Sequence, residues 1–258
     1  MLKLPELVEG LLKPKAYPES SKGVELVQTQ MSFVFLTDDY VYKVKKPVNL
    51  GYLDYTTLDK RQFYCHREVE LNRRLCPDVY LGVVPITQGK GDISIGGQGE
   101  IIEYAVKMHR LPQEAMMDVL LANNQVSPEM VTSVAQKLVE FHQRAETNAD
   151  ISAFGNLDAI TQNTDENFTQ TEKYIGNTIS LKEYQHIKDY TDNFIEHNAP
   201  LFHKRLTDGR IRDCHGDLHA AHICFTNDIC IYDCIEFNDR FRYCDVASEV
   251  AFLAMDLD

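Results

Sequence analysis

The chain has no excess of basic charge and no long apolar run, and each absence excludes a class of function. Its 26 Lys and Arg stand against 39 Asp and Glu, a net charge of −13 over 258 residues. A general nucleic-acid binder needs a basic surface to displace counterions, so nucleic acid is not an expected partner. No segment approaches the ~18 consecutive apolar residues of a membrane span. The stretch Met1–Glu6 lacks the apolar core and small-residue cleavage site of a secretory signal, so the expectation is a cytoplasmic protein without membrane contact. Cysteine pairs at C-x2-C spacing are also missing, although there are seven cysteines. Cys65 and Cys76 stand alone, whereas Cys214, Cys224, Cys230, Cys234 and Cys244 crowd the C-terminal end. In a reducing compartment most of them read as small buried hydrophobes rather than as a disulfide framework. Their proximity to His215, His219 and His222 leaves a zinc or redox protein as a minor alternative.

What is present is the composition of an ordinary globular protein, 44% hydrophobic and 25% charged. The first ~25 residues read as helix and then loop, punctuated by Pro14 and Pro18. From Glu25 the pattern is that of strand. Ser32–Leu36 and Tyr40–Lys45 alternate around Thr37-Asp38-Asp39 as a β-hairpin, ended by Pro47. A charged helix is expected from about Thr57 to Leu75. Strands follow at Val83–Ile86 and Glu100–Met108, joined through a glycine-rich turn from Gly89 to Gly99. At Ser127-Pro128-Glu129 the period changes, with Ser as N-cap and Pro at the first helical position. Val131, Val134, Leu138, Phe141 and Ala145 then recur at helical spacing. The rest is mainly helical apart from a late hairpin, His222–Phe225 and Ile229–Tyr232. Strands first and helices later predict an α+β fold with two lobes, 1–108 and 109–258. The final segment presents Val246, Val250, Leu253 and Leu257 on one face without a terminating glycine, which reads as an under-covered helix of a truncated chain.

The densest chemistry lies in Cys214-His215-Gly216-Asp217-Leu218-His219-Ala220-Ala221-His222, followed after the hairpin by Asp233-Cys234-Ile235-Glu236. The hairpin folds the chain back and brings Asp217 and Asp233 to one end of it. Such a carboxylate pair suits phosphoryl transfer, one member orienting a hydroxyl and the other holding a cation against phosphates. Two isolated solvated aspartates are the bland alternative.

This segment resembles the catalytic region of the aminoglycoside phosphotransferase-like kinases, in which His-Gly-Asp replaces the His-Arg-Asp of protein kinases. The similarity runs from about Thr29 to the last residue and includes Val41-Tyr42-Lys43-Val44-Lys45 and Arg73-Arg74-Leu75-Cys76-Pro77. It is similar to an uncharacterised branch in which the kinase-like region often precedes a P-loop ATPase domain. No G-x-x-x-x-G-K-[ST] string occurs here, so such a domain would be a partner rather than part of this chain. The resemblance implies a two-lobed protein-kinase-like fold, with ATP between the lobes and a small hydroxylated molecule as acceptor. Asp217 is implied as catalytic base and His215 as the brace of its loop. Asp233 is implied as the metal-binding aspartate, Lys43 as the phosphate lysine and Glu68 as its helix partner. On strand alternation alone, Lys45 lies on the same face as Lys43 and competes for that role; Glu70 competes less well with Glu68. Met108 is implied near the adenine, beside the hinge.

Two departures from the family pattern carry expectations of their own. Thr29-Gln30-Met31-Ser32 stands where a glycine-rich phosphate loop is usual, leaving the Thr29 and Ser32 hydroxyls as candidate phosphate contacts. His222 stands where the family has a metal-binding Asn. Imidazole is a poor ligand for Mg²⁺, so Mn²⁺ is expected to serve better. The sequence therefore predicts an ATP- and Mg²⁺- or Mn²⁺-dependent phosphotransferase. A nucleotide-binding pseudokinase or regulatory module is the alternative.

Overall fold

Alternating apolar residues in Ser32–Leu36 and Tyr40–Lys45 form the expected hairpin, and a sheet is built around it. The computed structural model describes residues 4–89 and 91–258. In chain order the strands are β1 (Glu25–Gln28), β2 (Ser32–Leu36), β3 (Tyr40–Lys45), β4 (Tyr80–Gly89), β5 (Asp92–Ile95), β6 (Glu100–His109), β7 (Ile211–Asp213), β8 (Ile223–Phe225), β9 (Ile229–Ile231) and β10 (Tyr243–Asp245). The helices are α1 (Leu4–Leu11), α2 (Leu58–Asn72), α3 (Met117–Ala122), α4 (Pro128–Arg144), α5 (Ala149–Ala153), α6 (Leu157–Thr171), α7 (Leu181–His197), α8 (Ala199–Thr207), α9 (Asp239–Arg242) and α10 (Val246–Leu257). The fold is α+β. Among the described residues no helix is long and apolar enough to cross a membrane.

One compact unit takes the chain through Phe141 together with Asp217–Asn238. Its six-stranded antiparallel sheet has the order β1-β2-β3-β6-β4-β5. Strand alternation gives the sheet two apolar faces. On one, Tyr42 and Val44 of β3 join Phe33, Phe35, Ile86 and Ala105 beneath Leu7 and Leu11 of α1. On the other, Val106 and Met108 of β6 join Cys65 and Val69 of α2. The Thr57 side chain accepts the Lys60 amide and starts α2, which turns Glu68 and Asn72 fully inward. Strand β5 lies inside the stretch that reads as a glycine-rich turn. Its Ile93 and Ile95 pack on the α1 side of the sheet, a two-residue alternation that the surrounding glycines mask.

The β8–β9 hairpin belongs to this unit. Met116 bridges Cys224, and Met116, Cys224 and Cys230 share a core with α2 and β6. The division at 108/109 is therefore not where the compact units fall, because residues after Met108 complete the core under α2. Nor are all the cysteines isolated hydrophobes: Cys76 and Cys230 are disulfide-bonded, their Cα atoms 4.7 Å apart. The link joins the turn after α2 to β9, two positions 154 residues apart that sequence spacing does not bring together.

The other unit is His142–Gly216 with Asp239–Asp258, helices with the two-stranded β7–β10 ladder. Arg242 is fully buried and donates to Asp213 at 2.5 Å and to Asp239 at 2.5 Å. In α10 Leu253 and Glu249 are buried, while Val250, Phe252 and Met255 are exposed. Of the face expected there, only Leu253 is fully covered.

Candidate functional site

The lysines of β3 and the glutamate of α2 meet in a charge cluster within the first unit. Lys43 Nζ lies 2.5 Å from Asp233 Oδ1 and 3.0 Å from Glu68 Oε1. Lys45 Nζ lies 2.6 Å from Glu68 Oε2 and donates also to Glu236 Oε1, which accepts the Tyr55 hydroxyl at 2.6 Å. Two cations thus alternate with three carboxylates. The two lysines differ in exposure: the Lys45 side chain is 1% accessible, that of Lys43 15%. They differ in position as well: Lys43 faces Asp233, while Lys45 is sealed between Glu68 and Glu236.

Burial alone would lower both lysine pKa values, since it disfavours charge. Asp233 and then Glu68 outweigh it at Lys43, and Glu236 and then Glu68 at Lys45, so both ammonium groups stay charged well above the ordinary range. The same pairing works on the acids. Burial pushes Asp233 up, but Lys43 and then His222 hold it far below the usual carboxylate range. Glu236 is likewise held low by Lys45 and Lys43 against burial.

The hairpin then sets the second half of the site. Its last ladder pair is Ile223 with Ile231, and the Tyr232 amide donates to the His222 carbonyl at 3.0 Å, so His222 and Asp233 emerge side by side. Asp233 adopts φ +62°, a left-handed conformation that Asp tolerates better than most residues. Its amide donates to the Tyr80 hydroxyl, and the next amide, of Cys234, donates to Asn72 Oδ1 at 2.9 Å. Asn72 also donates to the Glu68 carbonyl, so one buried side chain ties α2 to the Asp233 segment.

His222 Nδ1 lies 2.9 Å from the Asp217 carbonyl, which can only accept, so Nδ1 carries a proton and Nε2 is the ring nitrogen turned toward Asp233. Nε2 lies 3.7 Å from Asp233 Oδ2, the oxygen not taken by Lys43. A ring proton fixed by a backbone carbonyl is how ligating histidines are commonly oriented. The residues thus fit a divalent cation at His222 and Asp233, and the imidazole favours a first-row transition ion over Mg²⁺. Asp217 Oδ2 lies 3.7 Å from both His219 Nε2 and His222 Nδ1. Lys43, Glu68, Asp217, His222 and Asp233 are therefore gathered in one unit.

The other expected residues have different surroundings. Thr29 Oγ1 accepts the amides of Ser32 at 2.9 Å and Met31 at 3.3 Å, closing the β1–β2 turn on itself. Ser32 is buried in β2, so neither hydroxyl is presented as a phosphate contact. Met108 is buried in the α2-side core. His215, in the second unit, is fully buried, and its amide donates to Glu249 Oε1 at 2.5 Å. Glu249 also accepts the Gly216 amide at 2.9 Å, and its other oxygen lies 2.5 Å from His142 Nε2. Burial raises the Glu249 pKa, but the His142 hydrogen bond and His215 outweigh it and hold the carboxylate charged. Gly216, at φ +88°, is required here because a Cβ would stand 2.8 Å from the Phe241 carbonyl oxygen. Cys214 joins His142 and Glu249 in a buried cluster. Hydrogen bonding at Cys244, then burial, pushes its thiol far up.

Sequence reasoning gives no role to Glu236, Asn72, Tyr80 or Glu249. Glu236 had a signal, three residues after Asp233; Asn72 had another, one helical turn after Glu68. Tyr80 and Glu249 had none, since each acts on a distant backbone amide.

No family model matches the chain. It is 30% identical over 236 residues to an uncharacterized protein of Mycobacterium bovis and, equally, to uncharacterized proteins of two strains of Mycobacterium tuberculosis. The match takes 91% of this chain and 46% of each relative, so the chain spans about half the length of the curated relatives it matches.

Proposed function

We propose that the chain is an ATP-dependent phosphotransferase of the aminoglycoside phosphotransferase-like type, moving the γ-phosphoryl group to a hydroxyl of a small molecule. The observation that carries this reading is the chain of ion pairs Glu68–Lys43–Asp233, ending beside His222 and Asp217. Phosphoryl transfer needs positioning and charge neutralisation more than covalent chemistry, and this array offers both. Lys43 binds phosphate oxygens, steadied by Glu68. Asp217 accepts the proton of the acceptor hydroxyl as its oxygen bonds to the γ-phosphorus and the bond to the ADP oxygen breaks. Asp233 and His222 would hold a divalent cation, which supplies neutralisation of phosphate charge. His215 and Gly216 hold the loop that precedes Asp217.

The test is incubation with γ-labelled ATP and a panel of hydroxylated metabolites and antibiotics, alongside nucleotide binding with and without metal. Asp217→Ala should abolish transfer and leave nucleotide affinity nearly unchanged, whereas Asp233→Ala should remove its metal-dependent part. Wild-type turnover in both variants would show the site to be misplaced. A second reading, a nucleotide-binding module without transfer, is favoured by the self-closed Thr29 turn, whose amides are not offered to phosphates. Metal-dependent ATP binding with no turnover on any acceptor would select it.

A further inference from the structure

Two imidazole–carboxylate pairs of matching geometry stand next to each other in the first unit. One is His222 Nε2 with Asp233 Oδ2 at 3.7 Å; the other is His219 Nε2 with Asp217 Oδ2 at 3.7 Å. First-row dications bind imidazole nitrogen and carboxylate oxygen at about 2.0–2.2 Å. Donors 3.7 Å apart then subtend an angle of about 120° at such an ion, and a few tenths of an ångström bring it to the tetrahedral value. Each pair is therefore spaced to take one ion, with further positions for water or phosphate oxygen. The two rings lie tilted by 36° with centroids 3.8 Å apart, and donor atoms of Asp217, His219 and His222 lie within 4.8 Å of one another. Ions in binuclear sites stand about 3.5–4 Å apart.

We propose that Asp217 and His219 form a second cation site beside the His222–Asp233 pair, and that together they bind two transition-metal dications of the Mn²⁺, Co²⁺ or Zn²⁺ class without nucleotide. Nothing in the phosphotransfer reading uses His219, and a second ion on Asp217 engages the carboxylate which that reading employs as base. Two imidazoles among four donors set the metal class: hard Mg²⁺ takes oxygen, while nitrogen ligands raise affinity along the transition series. Lys43 donates to Asp233 Oδ1, which leaves Oδ2 on the side of His222.

The experiment uses the whole, metal-stripped chain without nucleotide or acceptor. It is dialysed against Mn²⁺ in excess Mg²⁺, which occupies nonspecific oxygen sites, and bound Mn²⁺ is counted while electron paramagnetic resonance reports spin coupling. Two ions with a coupled spectrum are expected. His219→Ala, at a partly exposed position that should not disturb folding, should leave one ion and an uncoupled spectrum. Asp233→Asn should also leave one. One ion or none in the wild-type chain, or two coupled ions that persist in His219→Ala, overturns the proposal. The inference shares His222 and Asp233 with the proposed reaction, but the outcomes separate. Two coupled ions without phosphotransfer remove only the kinase reading, and phosphotransfer with one bound ion removes only this one.

Discussion

Replacing Lys45 by Met tests the division of labour between the two lysines of β3. The Lys45 side chain is 1% accessible and pairs directly with Glu236, whose own side chain is 6% accessible. Removing it leaves Glu236 with the Tyr55 hydroxyl and leaves Glu68 with Lys43 alone. Breaking a buried pair from one side costs about 3–5 kcal/mol, because the remaining charge stays desolvated. For a chain of this size each kcal/mol moves the melting temperature by about 2–4 °C, so Lys45→Met should melt roughly 6–20 °C lower. Adding Glu236→Gln removes the stranded charge and should recover part of the loss, a non-additivity that a double-mutant cycle reads directly. Lys43→Met should cost less stability, since Asp233 is 38% accessible, yet it should abolish metal-dependent nucleotide binding. Circular dichroism melts of wild type, Lys45→Met, Glu236→Gln, the double variant and Lys43→Met decide it. A Lys45→Met melt within about 2 °C of wild type would refute the reasoning, because no desolvated charge would then have been left behind.

Three further outcomes follow from the same geometry. Unfolded without reductant, the chain should titrate five thiols, and seven after reduction; by loop entropy alone, opening the 154-residue Cys76–Cys230 loop should cost about 5 kcal/mol. Seven thiols without reductant would contradict the link. Gly216→Ala should destabilise by about 1–3 kcal/mol, measured by urea unfolding, since it meets both a positive φ and the Phe241 carbonyl. Asp233, Glu236 and Glu249 are held below their ordinary pKa by neighbouring cations, so their contribution is present above about pH 4 and lost as pH falls through the native values. Lys43 and Lys45 are held above theirs, so their contribution is present below about pH 10 and lost only as pH rises through the native values. Stability followed from pH 7 to pH 2 should therefore fall at the acid end, and a flat profile would show that these pairs are not formed.

Much of this was legible because it depends on local periodicity. The β2–β3 hairpin, α2, α4 and the β8–β9 hairpin follow from alternation, capping and turn residues, and the hairpin alone brings His222 beside Asp233. Strand alternation also put Lys43 and Lys45 on one face. What it could not say is which lysine is sealed, because that depends on Glu236, 191 residues away. Strand β5 was hidden by its glycines. The unit boundary was hidden by Met116, Cys224 and Cys230, apolar residues whose partners lie far off in sequence. Glu249 was illegible for a similar reason: its partners are backbone amides, which every residue carries.

The charge cluster also indicates how a cation and a lysine could share Asp233. Lys43 donates to Asp233 Oδ1 at 2.5 Å, while Glu68 Oε1, fully buried and 3.0 Å from the same ammonium, accepts no hydrogen bond among the described residues. A buried carboxylate oxygen without an aligned donor is costly, so Lys43 is drawn toward Glu68 whenever its hold on Asp233 weakens. Under the proposed reaction, a cation held by Asp233 would weaken that hold, and Lys43 would then turn toward Glu68 and toward phosphate without being left unpaired. Glu68 itself is held back, because Lys45, which is paired in turn with Glu236, binds its other oxygen from the far side. The fixed pair is what makes the movable one useful: Lys45 holds Glu68 in place, and Glu68 stands ready for Lys43.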